Sequence, residues 1–173
     1  MSVSLYDALV PTWLQLLDAM SRLIDKAETH CKERKLAPEG LIDSRLAPDM
    51  YPLGYQIKST VVHSIGSIEA ARQGTFSPDR SPWPVSFTAL HEQLKSAINR
   101  LSAIDEGEVN ALAGRDFQFE AGSYKANFLA EDFLLSFAQP NFFFHCTIAY
   151  GILRAEGVAI GKLDFLGKMR HKP

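Results

Sequence analysis

Cysteine is scarce in this 173-residue chain: the two present, Cys31 and Cys146, lie far apart and show no CxxC spacing. That count excludes a cysteine-built zinc site. Both thiols fall on apolar helical faces, which predicts buried, reduced side chains in a cytoplasmic protein. An excess of one charge is lacking too. Eighteen basic residues against twenty acidic ones give a net charge of -2, so nothing electrostatic draws the chain to nucleic acid. The short basic tail Lys168-Met169-Arg170-His171-Lys172 reads as a solvated end. No apolar run approaches the roughly 20 residues of a membrane span. The first basic residue is Arg22 and Asp7 interrupts the early apolar positions, which argues against a signal peptide. Also missing are the phosphate-cradling GxxxxGK(S/T) loop, GxGxxG after a strand and the Gly-x-Ser-x-Gly elbow.

What remains is a chain written mostly in helical stripes, long enough for one core and expected to form a single domain over 1–173. Trp13, Leu17, Met20, Ile24, Ala27 and Cys31 recur at steps of four and three, widened by Leu16 and Leu23. They predict a helix from Pro11 to about Arg34 with a short lead-in from Ser4. Leu36 to Met50, with Pro38, Gly40 and Pro48, reads as an ordered connection long enough to cover the mouth of a site. Met50, Leu53, Ile57, Val61, Ile65 and Ile68 mark a second helix that stops near Gly74, with Asp49 placed to cap its start. Phe87, Leu90, Leu94, Ile98 and Leu101 mark a third, capped by Ser86. Phe117 and Phe119 then alternate with Asp116, Gln118 and Glu120, which predicts a small β-hairpin over about 115–127. A short helical stretch at 130–138 leads to the last helix, Pro140 to about Glu156, ended by Gly157. The economical architecture is all-α, a four-helix bundle with that hairpin before the last helix.

The last helix carries the densest information. Phe142, Cys146, Ala149 and Leu153 share one face, and His145 lies about 60° from its centre. His145 is therefore either a hydrogen-bonded core histidine or a ligand. Phe143, Phe144, Ile148 and Tyr150 make the remaining surface apolar as well, which suits a helix half-covered by a second subunit and predicts a homodimer. His63 lies about 140° from its helix's core stripe and reads as a surface or subunit-contact residue. No two histidines stand at i, i+3 or i, i+4, so no helix offers a two-histidine metal face. Glu131 and Asp132 point about 100° apart on a helix and cannot share a proton. They suit a helix start.

Pro48-Asp49-Met50-Tyr51-Pro52-Leu53 with Gln56, Pro140-Asn141-Phe142 to His145, Tyr150 to Arg154 and Gly161 to Gly167 together resemble a bacterial family of domains without an assigned activity. That family is grouped with the DinB/YfiT-like helical bundles. The resemblance implies a four-helix bundle with DinB-like connections, often dimeric. The wider group includes metal-dependent enzymes whose site uses three histidines, one from the second helix and two at i and i+4 on the last. This chain departs from that pattern: His145 matches the first of the last-helix pair, but the i+4 position is Ala149, and the second helix offers Tyr55-Gln56 at the expected place. Alanine offers no donor and glutamine is a poor one for zinc or nickel.

The expectation is a protein that binds a small molecule near His145, with Asp49, Gln56 and Tyr150 as the other ligand-binding residues and with no catalytic metal or other cofactor. A dimeric structural protein without ligand and a divergent metal-dependent hydrolase or transferase are the alternatives. The segment Gly161–Gly167 is expected to dock on the bundle through Leu163, Phe165 and Leu166.

Overall fold

The computed structural model describes residues 3–172, so residues 1, 2 and 173 of the expected domain lie outside the described part. Helix α1 (Leu5–Arg34) starts with a capping box. The Ser4 hydroxyl accepts from the Asp7 amide, and the Asp7 carboxylate accepts from the Ser4 amide at 3.2 Å. The lead-in and the predicted helix are thus one rod. Pro11 lies inside it rather than at its start, past the first turn, where a proline forfeits its own bond to the carbonyl four residues back. Trp13, Leu17, Met20, Ile24 and Ala27 are fully buried along its stripe, as the spacing predicts.

The connection after α1 holds the short α2 (Pro38–Ile42). The second helix starts at Leu53 instead of Met50. It runs as α3 (Leu53–Val61), a π-turn (Val62–Gly66) and α4 (Ser67–Gln73). Asp49 does not cap it; Pro52 occupies the cap position without a side-chain bond. Gly74, at φ +79°, closes it in the left-handed region that favours glycine. α5 (Phe87–Ser102) has the Ser86 cap expected of it, and α6 (Glu106–Asn110) follows.

The predicted hairpin is present as β2 (Asp116–Ala121) and β3 (Tyr124–Leu129), joined by Gly122-Ser123 with Gly122 at φ +64°. A third strand joins it: β1 (Thr75–Phe76) pairs parallel to β2, Phe76 opposite Phe119. The fold is therefore mostly helical with a three-stranded sheet, not purely α. It also has more helical segments than the four expected, because prolines and glycines punctuate the connections with one-turn helices. Phe117 faces inward and stacks on Phe133 at 4.1 Å, fastening the sheet to the bundle.

The last rod begins earlier than Pro140. α7 (Ala130–Phe133), a second π-turn (Leu134–Ala138) and α8 (Gln139–Ala155) run on without a break. Phe142, Cys146, Ala149 and Leu153 are buried on its expected core face, and Cys31 and Cys146 are both free, buried thiols. α9 (Lys162–Leu166) then folds back along α1. Gln15 donates to the Leu166 carbonyl at 2.8 Å, and Phe165 meets Tyr150 edge-on at 5.7 Å. Leu163 is not an anchor: it is 75% exposed. Asp164 takes over that duty by bonding Lys26 of α1 at 2.6 Å and the Gly161 amide at 2.7 Å, which holds its carboxyl below the usual range. Among the described residues, no helix is long and apolar enough to cross a membrane.

Candidate functional site

The second helix reads as half polar, yet Gln56, Lys58, Ser59, Thr60, Ser64 and Ser67 are all buried. Packing against α8 and α5, with the segment after β1 on the remaining side, leaves this helix little solvent. Three of its hydroxyls find acceptors on the helix itself. Thr60 donates to the Ile57 carbonyl at 2.7 Å, Ser64 to Thr60 at 2.7 Å and Ser67 to Val62 at 3.2 Å. Such back-bonding satisfies buried hydroxyls within their own helix.

Both π-turns deliver a ring to the same place. His63 comes from the first and Phe137 from the second, with centroids 5.6 Å apart. Phe76 of β1 stands 5.8 Å from His63. Together with Tyr55 and Ser59 of α3 these rings wall a cavity of about 90 Å³. Its outer wall is the segment after β1, pinned by Lys58. This lysine is 3% exposed, and its ammonium bonds the Asp79 carboxylate at 3.1 Å and the Asp79 and Ser81 carbonyls. Farther along, the same segment is seated on Gly54. A Cβ there would lie 2.5 Å from the Pro84 carbonyl oxygen and 3.0 Å from Trp83, so only glycine allows the approach.

His145 sits behind His63. The two imidazoles stack with centroids 5.5 Å apart and planes 8° from parallel. Gln56 fixes the tautomer of His145. Its amide nitrogen donates to the Tyr51 carbonyl at 2.8 Å, which turns the amide oxygen toward His145 Nδ1 at 2.7 Å. An oxygen can only accept, so Nδ1 carries the hydrogen and Nε2 holds the lone pair. Burial lowers the His145 pKa to about 4. Burial, and then the neighbouring His145, lower that of His63 to about 3. Both rings are neutral at pH 7, and the Nδ1 of His63 is buried without a hydrogen-bond partner among the described residues.

Of the four residues expected to bind a ligand, the fold brings His145 and Gln56 together. Asp49 is exposed on the connection, where the turn from Ala47 to Met50 leaves it in solvent. Tyr150 follows His145 by five residues, about 140° round the helix. It faces Phe165 instead of the cavity. His63 is the main addition in the other direction: it is half-buried beside the buried Gln56, Thr60 and Ser67, and its ring is in the cavity wall. His91 is separate, lying 3.5 Å from Glu28 and 3.6 Å from Asp25 of α1. Lys58, Phe76, Asp79 and Phe137 went unnoticed in the sequence. Tyr55, Ser59 and His63 could have been found, because they stand at i, i+4 and i+8 on one helical face.

The three-histidine metal set implied by the resemblance does not fit these residues. Ala149 supplies no donor, and Gln56 is committed to His145 and Tyr51. Among the described residues, no group of three His, Cys, Asp or Glu side chains is placed to hold a metal ion.

The chain belongs to the family of the domain of unknown function DUF1993, whose sequence profile matches residues 5–166. It is similar to the solved structure of a DinB family member protein from Shewanella denitrificans, with 27% identity and a TM-score of 0.83 over 98% of this chain and 95% of that one. No curated protein matches it.

Proposed function

We propose that this DinB-like protein binds a small molecule in the cavity beside His63, with the Gln56–His145 pair behind it and without a catalytic metal. The carrying observation is the convergence of both π-turns on one cavity, His63 from one and Phe137 from the other. π-turns cost regular hydrogen bonds and occur often at functional sites. A concave, mostly aromatic wall with a few polar groups is the usual make-up of a ligand pocket. A fragment library titrated into isotope-labelled protein should shift the resonances of Tyr55, His63, Phe76 and Phe137 together. Ser59→Leu, which puts a larger side chain into the cavity lining, should abolish those shifts while leaving the fold's spectrum in place. Hits that ignore the cavity, or that survive Ser59→Leu, would count against this reading.

A homodimer through α8 is a second proposal. Phe144 is 53% exposed on that helix, and Leu46, 45% exposed, lies against Gly151 two turns farther along the same face. Burying such a ring in a partner is favourable by roughly 1.5–3 kcal/mol. Light scattering at tens of micromolar is expected to give twice the chain mass, and Phe144→Glu to halve it. A monomer mass for the unaltered protein would refute it.

A further inference from the structure

We infer that the molecule held in this cavity is uncharged and flat, with hydrogen-bonding groups along one edge, an inference that rests on the cavity reading above. Tyr55, Ser59 and His63 project from one face of the second helix at successive turns, and all three line the cavity. The Tyr55 and Ser59 hydroxyls can each donate and accept a hydrogen bond. The His63 ring adds a neutral imidazole to the same wall. These are three neutral groups able to donate or accept, set in a row.

The charged groups of the cavity are already engaged. The Lys58 ammonium has three donors and three acceptors: the Asp79 carboxylate at 3.1 Å, the Asp79 carbonyl at 3.3 Å and the Ser81 carbonyl at 2.5 Å. The other Asp79 oxygen accepts from the Ser81 amide at 2.8 Å. An anion or a cation entering here meets a lysine and a carboxylate already paired with each other, and it loses hydration against Phe76 and Phe137, which is unfavourable. A neutral ring or amide meets the opposite conditions. Its face packs on one of the Phe76 and Phe137 rings, which stand 6.0 Å apart and 65° from parallel, and meets the edge of the other, while its polar edge reaches the Tyr55–Ser59–His63 row. An apolar cavity of about 150 Å³ admits benzene. The 90 Å³ here therefore encloses a group of a few heavy atoms, and the rest of a larger ligand extends out through the mouth.

Benzamide, benzoate and benzamidine share one skeleton and differ in charge, so they isolate the point. Titrated at pH 7.5 into labelled protein and followed at Tyr55, Ser59 and His63, benzamide is expected to bind about tenfold more tightly than either charged probe, a difference readily resolved. Tyr55→Phe and Ser59→Ala should each weaken benzamide several-fold, leaving resonances away from the cavity in place. Benzoate or benzamidine binding as tightly as benzamide would overturn the charge class and leave the cavity reading standing. Unchanged benzamide affinity in both variants would overturn recognition by the polar row. If none of the three probes perturbs the cavity at high millimolar concentration, the cavity reading and this inference fall together.

Discussion

Lowering the pH from 8 to 5 is expected to remove about 4 kcal/mol of folding stability through His63 and His145 alone. Burial holds their folded pKa values at about 3 and about 4, against an ordinary 6.5. In the unfolded chain each ring takes up a proton as the pH falls through about 6.5, while the folded rings stay neutral. The stability these rings support is therefore complete above that pH. It declines as the pH falls, by up to about 1.4 kcal/mol per unit for each ring. Glu28, Asp79 and Asp164, whose carboxyls are held low by their partners, add their losses only at still lower pH. Urea unfolding at pH 8, 6.5 and 5 reads the effect directly. A double variant, His63→Phe with His145→Gln, should flatten the profile across this window. An unaltered protein with equal midpoints at pH 8 and pH 5 would show that the rings titrate near their ordinary value and are not buried as described.

Phe133→Ala should cost about 3–5 kcal/mol and lower Tm by on the order of 10 °C. Phe133 is fully buried and sits at the joint between sheet and bundle. It stacks on Phe117 of β2 at 4.1 Å, and its ring lies 5.3 Å from Phe137 and 5.4 Å from Phe76. Deleting it opens a void that strands and helices cannot both close, because the second π-turn fixes Phe137 beside it. Amide exchange in β2 and β3 should accelerate more than exchange in α1. A fall in Tm of less than about 3 °C, or exchange that accelerates uniformly, would show that the sheet is held by something else.

The helical stripes were legible because burial of one face imposes a period that no other structure shares. Trp13 to Cys31, Leu90 to Leu101 and Phe142 to Leu153 all face the core on the turns their spacing requires. The hairpin was legible from the alternation around Phe117 and Phe119. The two-residue β1 was not, since Thr75 and Phe76 are too few to show a period. The same limit applies to the π-turns, whose extra residue leaves no compositional mark in Val62–Gly66 or Leu134–Ala138.

The sequence by itself determined a mostly helical DinB-like domain, the hairpin, and the place of His145 beside the core face of its helix. Tertiary structure decided what surrounds that histidine. A polar helix face looks solvent-bound until a third layer covers it, and here the segment after β1, pinned by buried Lys58 and seated on Gly54, is that layer. It turned His63 from an expected surface residue into a cavity wall, whereas the position of Tyr150 on α8 gave it to Phe165. Periodicity records which residues share a face of one helix; which faces end up opposite one another depends on packing between elements far apart in the chain.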